Sequence, residues 1–440
     1  MKQKTALDIL KMGHNVFLTG PAGSGKTHLL NQYIQYLKSK NIGVAVTAST
    51  GIAATHMNGQ TVHSWSGMGI KDSFSEADYN KLKRKYFYQR KITKAKVLII
   101  DEISMLHAHQ LDIVNSICKR FKEPFLPFGG LQVILCGDFF QLPPVTKGDQ
   151  RARFVTESQS WQEMNPRICY LEEQYRQEDS QMKKVLNAIR CQAVDSEILG
   201  LVLSRENKPI KSDIIPARLF THNANVDTIN EMELEKINEK PIAYRMHSKG
   251  IEPLIKMLKQ GCLAPERLIL KKDAVVMFVK NNFDRGYVNG TLGKVIDFDK
   301  HKLPIIRTFK GKEIIAQPEK WSIEEDDIEI ASISQIPLRL AWAITVHKSQ
   351  GMTLDAVEMD LSKSFEYGMG YVALSRIRTL NGIKLLGLNE VALEVNPDVC
   401  KLDRELEELS DINAREVDNM GFLEKRKKQK EFVKKNANKS

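Results

Sequence analysis

Eight residues, Gly20-Pro21-Ala22-Gly23-Ser24-Gly25-Lys26-Thr27, constrain this chain more than any other feature. They fit the pattern GxxxxGK[ST] in full, with an apolar run (Asn15–Thr19) before them and helix-compatible sequence (His28–Leu37) after them. Such a loop wraps phosphate oxygens in backbone N–H groups at a helix N-terminus, which works only where a buried strand turns directly into a helix. Val44–Ala48, Val97–Ile100 and Leu131–Cys136 repeat the signature of the preceding strand: short, β-branched and almost wholly apolar. Runs of that kind belong to buried parallel strands, so the early chain predicts an α/β doubly wound sheet. Leu268–Asp297 differs, with short alternating strands broken by Asn281-Asn282, Asn289-Gly290 and Gly293, and predicts a small β domain.

The loop also predicts chemistry. Lys26 is placed to reach the β- and γ-phosphates of ATP, and the Thr27 hydroxyl to ligate Mg²⁺. Val97-Leu-Ile-Ile-Asp101-Glu102 supplies the partner element: Asp101 ends a buried strand as a metal-holding carboxylate, and Glu102 can orient or deprotonate the attacking water. Gln141, beyond another apolar strand in GDFFQLPP, is either a γ-phosphate sensor or a polar cap before Pro143-Pro144.

Charge is distributed unevenly. The 440 residues carry 65 Lys+Arg against 54 Asp+Glu, a formal +11. Lys81–Lys96 holds eight Lys/Arg and no acid around Tyr86-Phe87-Tyr88, and Glu424–Lys439 holds eight Lys/Arg against two acids. The rest is slightly acidic, so the surplus that suits a polyanion is local. Glu424–Lys439 predicts a solvated, mobile extension that adds salt-dependent DNA affinity; a nuclear-localising cluster is the other reading. The six cysteines are widely spaced without a CxxC pair, which supports neither zinc nor a disulfide framework, and His107/His109 lack a second ligand pair. No run is long and apolar enough for a membrane span. The early position of the nucleotide motif leaves no evident targeting extension and favours a bacterial cytoplasm.

In order along the chain stand Gln3 before Leu7, GPAGSGKT, VTASTGIAA (Val46–Ala54), TVHSW (Thr61–Trp65), VLIIDEISML (Val97–Leu106) and GGLQVILCGDFFQLPPV (Gly129–Val145). LEEQYRQ (Leu171–Gln177), FTHNANVDTIN (Phe220–Asn230), VNGTLGKV (Val288–Val295), ITVHKSQGMTLD (Ile344–Asp355) and YVALSR (Tyr371–Arg376) follow. In this set and order the chain resembles the petite-integration-frequency (PIF) helicases, the RecD-like branch of superfamily-one DNA helicases. The resemblance implies two RecA-like P-loop domains, with a small wedge insertion in the first and a small β-barrel insertion in the second. The expected bounds are 1–175 (wedge about 66–96), 176–265 with 336–400, 266–335 for the barrel, and 401–440 for a charged helix and basic tail. Lys300–Ser334 fits the family pattern poorly, and the acidic Glu324–Glu329 stretch has no assigned role.

The same resemblance implies the site residues. Gln3 would read adenine, and His28, Gln350 and Gly351 would join the phosphate loop around the nucleotide. Arg176 and Arg376 match arginines of the second domain that reach the γ-phosphate, although Arg376 taken alone reads as a surface arginine. Thr47, Ser49, Thr50, His63 and Ser64 match positions on the DNA face of the first domain. Thr221, Asn223, Thr345, His347 and Ser349 match those of the second. Small hydroxyls and amides hold phosphate and sugar without reading bases; His63 and His347 also read as core histidines. Tyr86, Phe87 and Tyr88 are either stacking groups of a strand-separating wedge or the core of a helical hairpin. The implied function is an ATP-dependent, single-chain 5′→3′ DNA helicase acting on single-stranded and forked DNA in replication, repair or recombination. A RecD-like subunit of a larger complex, and a DNA-dependent ATPase switch without unwinding, are the alternatives.

Overall fold

The computed structural model describes residues 1–57, 59–69, 71, 73–144, 152–177, 179–210, 216–220, 226–282, 284–309, 311–325 and 328–437, and leaves the side chains of 55, 56, 260, 324, 325, 328, 347 and 348 undescribed. The chain forms two units: 1–139 with 143–175 and 401–440, and 140–142 with 176–400.

The first unit is built on β1 (Val16–Thr19), β2 (Val44–Ala48), β3 (Gln60–Thr61), β4 (Val97–Asp101), β5 (Gln132–Cys136) and β6 (Arg167–Tyr170), all parallel in the order β3-β2-β4-β5-β1-β6. Alternate strand residues face opposite sides. Val16, Leu18, Val97, Ile99 and Ile134 join a core with Ile9, Leu10, Leu29, Tyr33 and Leu37 of the helices Gln3–Lys11 and Lys26–Ser39. Phe17, Leu98, Ile100, Val133 and Leu135 are equally buried on the other side, where Phe17 packs edge-on to Trp161. Burial on both faces is why these strands lack polar alternation.

Residues 401–440 belong to this unit, and here the expectation of a solvated basic extension is corrected. Helix Pro397–Asn419 runs beside the edge strand β6: the Tyr170 amide donates to Ser410 Oγ at 2.9 Å, and Asn413 Nδ2 donates to Ile168 O at 3.2 Å. Arg167 pairs with Glu416 from the same strand. Two of the ladder groups that an open edge would expose are thereby satisfied. Helix Phe422–Asn436 then returns over Gln3–Lys11, with Phe432 and Val417 entering the main core and Gln429 Nε2 donating to Asp8 Oδ1 at 3.1 Å. Charge dominates this helix in sequence, but Phe432 and Val433 sit on the face turned to the core, and that suffices to dock it.

The basic segment forms two short helices, Glu76–Lys83 and Tyr86–Lys94, the first opened by a capping box between Ser75 and Asp78. Lys91 Nζ lies 4.7 Å from the Phe87 ring centre and 4.4 Å from that of Tyr88, whereas Tyr86 is 72% exposed.

The second unit carries a four-stranded parallel sheet of Ala343–Thr345, Ala217–Phe220, Val357–Leu361 and Ile383–Leu388 in that order. Its β insertion is antiparallel and begins earlier than position 266. Ile242–Arg245 pairs with Arg267–Leu270, and His247–Gly250 pairs with Ile328–Gln335. Neither opening strand is buried: Ile242–Arg245 only alternates between half-buried and exposed positions, and His247–Gly250 is exposed throughout, so the hydrophobic signal is weak. Among the described residues the insertion forms a five-stranded, a three-stranded and a two-stranded sheet.

Candidate nucleotide and nucleic-acid sites

In the first unit the phosphate loop joins β1 to helix Lys26–Ser39. Gly25 adopts φ +85°, so the loop requires glycine for its conformation, and a Cβ there would push against the Gln3 amide, 2.3 Å away. Gln3 Nε2 itself donates to Ser24 O at 3.3 Å, which sets the Gln3 side chain beside the loop. Lys26 Nζ donates to Gly20 O at 2.7 Å and Pro21 O at 3.0 Å, curling the loop around its own cation. Ser24 Oγ is buried with no hydrogen-bond partner among the described residues, and Thr27 and His28 are exposed at the helix start. A glycine cradle, a positive helix end and an orphaned hydroxyl fit a polyphosphate.

Asp101 ends β4, 8% exposed, and accepts from the Glu102 amide at 2.9 Å. Burial pushes its carboxyl above the usual carboxylate range, opposed by a hydrogen bond from the Cys136 thiol, the Glu102 amide and the charge of Lys26. A carboxylate made costly by burial gains from a nearby cation. Asp101 and the Thr27 hydroxyl are hard oxygen donors, as Mg²⁺ prefers, so the residues fit that ion. Glu102 follows with φ +51°, a left-handed backbone at a non-glycine residue that turns the chain out of the strand. Ser104, two residues on, also buries a hydroxyl with no hydrogen-bond partner among the described residues, and nothing in the sequence around it signals this.

The proposed DNA-face residues of this unit divide. Thr47 is 1% exposed and donates to Ile99 O at 2.7 Å, and Ser49 donates to Glu102 O at 2.6 Å. These two hydroxyls fasten β2 and its loop to β4. The residue types suit either use, and only the direction of the side chain separates them. Thr50 caps the helix Gly51–His56 by accepting from Ala53 N at 3.2 Å. His63 and Ser64 sit partly exposed on the helix Val62–Ser66, and burial lowers the His63 pKa, opposed by a hydrogen bond with Gln110.

In the second unit, Arg376 is 1% exposed, not a surface arginine. Its Nε donates to Val372 O at 3.0 Å, and its Nη2 donates to Ser375 Oγ at 3.0 Å and Gln141 Oε1 at 3.4 Å. Gln350 Nε2 donates to the same Gln141 oxygen at 3.4 Å, and Gly351 follows with φ +77°. Arg176 Nη1 and Gln177 Nε2 both donate to Ser375 O at 3.2 Å. Gln141, Arg176, Gln350 and Arg376 thus gather around one turn. Arg190 completes the group: its guanidinium lies 4.1 Å from the Phe140 ring centre and donates to Tyr371 Oη at 3.1 Å. The signal for Arg190 was an arginine on the apolar face of Ser180–Arg190, four residues after buried Leu186. Thr345 is buried at a strand end, and Ser349 is buried and donates to Val346 O at 2.7 Å, another inward hydroxyl. Thr221 and Asn223 lie outside the described residues, as does the side chain of His347.

The profile of the PIF1-like helicase family matches residues 2–198, and that of the DNA helicase Pif1 2B domain matches 254–298. The chain is 45% identical to an ATP-dependent DNA helicase Pif1 of Psychrobacter sp. over 93% of its own length and 71% of that protein. It is 35% identical to the Xenopus laevis ATP-dependent DNA helicase PIF1 over 96% of its length and 66% of that relative. A crystal structure of Bacteroides Pif1 in complex with ADP-AlF3 and single-stranded DNA superposes with a TM-score of 0.64 at 32% identity, covering 93% of this chain and 97% of that one.

Proposed function

Because the chain belongs to the PIF1-like helicase family and is accordingly an ATP-dependent DNA helicase, we propose that it travels 5′→3′ along single-stranded DNA and opens duplex at forks. The observation that carries the reading is that the first unit holds a complete phosphate loop and the second a buried Gln141–Arg376 contact. Gln3 recognises the base, and Gly20–Thr27 hold the phosphates through backbone N–H groups. Lys26 exchanges its contacts with Gly20 O and Pro21 O for phosphate oxygens. Glu102 orients the attacking water and accepts its proton. Arg176 and Arg376 stabilise transition-state charge, a role worth roughly 10³–10⁵ in rate for such arginines. Thr27 and Asp101 would hold Mg²⁺, which supplies neutralisation of β- and γ-phosphate charge when bound.

DNA contact falls to Thr50, His63, Ser64 and the backbone of the loops that Thr47, Ser49 and Ser349 fasten, consistent with sequence-indifferent travel. Strand displacement from 5′-tailed and 3′-tailed duplexes tests the proposal. Unwinding from the 5′ tail is expected. Opening only from a 3′ tail overturns the polarity, and DNA-stimulated hydrolysis without opening from either tail overturns the unwinding.

A further inference from the structure

Helix Phe422–Asn436 has two faces that do different things. At 100° per residue, Lys428, Gln429, Phe432, Val433 and Asn436 occupy the side turned to the first unit. Phe432 is buried there, and Gln429 donates to Asp8. On the other side Arg426, Lys427, Lys430 and Lys434 fall within a ~100° arc, all exposed, with Glu431 the one acid beside them. Helical rise sets Arg426, Lys430 and Lys434 about 6 Å apart in a straight row. Among the described residues these four form no ion pair; Lys428, which pairs with Glu424, lies at the margin of the docked face.

We propose that this row is a second DNA-binding surface, which grips the phosphate backbone of double-stranded DNA. The charge is opposite to phosphate and regularly spaced, and the spacing spans nearly two base-pair steps of about 3.4 Å. Single strands are held by aromatic platforms on which bases stack. This arc offers none, and Phe422 at the helix start already lies under the Arg426 guanidinium, 5.8 Å from its ring centre. A rigid duplex needs only a rigid line of cations, and the docked Phe432 face supplies the rigidity. The surface lies outside every motif assigned to the nucleotide or the single strand, so it adds a hold on duplex to a motor that travels on one strand. The inference rests on the helicase reading only for the presence of duplex.

The test uses the full chain with Arg426→Gln, Lys430→Gln and Lys434→Gln combined. A control combines Lys208→Gln, Lys240→Gln and Lys272→Gln, three exposed lysines of the second unit. Binding to a blunt duplex and to a single strand is measured across a salt series, with single-strand-stimulated ATP hydrolysis followed in parallel. Three lost phosphate contacts should flatten the log K against log salt slope for duplex by roughly 2–3. Single-strand binding and stimulated hydrolysis should stay unchanged, and Arg426→Lys with Lys430→Arg and Lys434→Arg should restore the slope. An equal effect of the control triple, an equal loss on single strands, or an unchanged duplex slope each overturns the proposal. Loss of stimulated hydrolysis in the unsubstituted chain would instead count against the helicase reading.

Discussion

Arg376 donates from Nη2 to Gln141 Oε1 at 3.4 Å, both side chains buried, although 235 residues separate them. The guanidinium is anchored at Val372 O and Ser375 Oγ, so it is aimed before any substrate arrives. Arg376→Ala should bind ATP normally yet lose roughly 10³-fold or more in DNA-stimulated turnover. Nucleotide titration beside steady-state hydrolysis separates the two, and unimpaired turnover removes the arginine from the reaction.

Lys26→Ala should abolish hydrolysis and weaken nucleotide binding, because the loop loses the cation it curls around. A variant that hydrolyses ATP at the parental rate would sink the phosphate-loop assignment.

The three aromatics of the basic segment should separate by burial. Tyr86, largely exposed, should tolerate alanine within about 0.5 kcal/mol of stability. It should nonetheless impair strand separation more than hydrolysis. Tyr88, half-buried beside Phe87 and Lys91, should lose stability and both activities together. Thermal unfolding with paired unwinding and ATPase assays decides this, and identical behaviour of the two variants would contradict it.

Gly13 adopts φ +85°, and a Cβ there would meet Phe432 Cδ2 at 2.3 Å. Gly13→Ala should therefore destabilise by about 1–3 kcal/mol through backbone strain and displaced packing. Phe432→Ala should cost about 3 kcal/mol as a large-to-small core change. Urea unfolding gives both values, and a neutral Phe432→Ala would mean the helix is not part of the folded unit.

Acid should loosen the same region. Burial first, then the charges of Arg167 and Lys428, hold His14 below its ordinary 6.5, with Glu416 opposing. The unfolded chain then binds more protons than the folded one just below 6.5, so stability falls as pH drops through that value toward the lowered one. His63, lowered by burial, acts with the same sign. His14→Gln should flatten the loss of unfolding midpoint between about pH 7.5 and 5.5, and an undiminished loss would exclude His14.

What could be read from the sequence follows from how each signal is encoded. The parallel strands were legible because burial on both faces demands unbroken apolar runs, and the phosphate loop because its glycines answer to backbone geometry. Helix Phe422–Asn436 was hidden because docking needs only a narrow face, here Phe432 and its neighbours, while composition averages over all faces. The carbonyl partners of Thr47 and Ser49 were not legible, since a hydroxyl serves a carbonyl or a phosphate equally well. The strands Ile242–Arg245 and His247–Gly250 escaped notice because exposure weakens the hydrophobic signal.

The seam between β6 and the helix Pro397–Asn419 also sets a timetable for the nascent chain. Tyr170 must wait for Ser410, 240 residues later, before its amide gains a partner. At roughly 5–20 residues per second, the ribosome leaves that margin of the sheet bare for on the order of 10–50 s. Through that interval the second unit is being made while the first remains unsealed, a natural window for chaperone capture or mispairing between neighbouring copies.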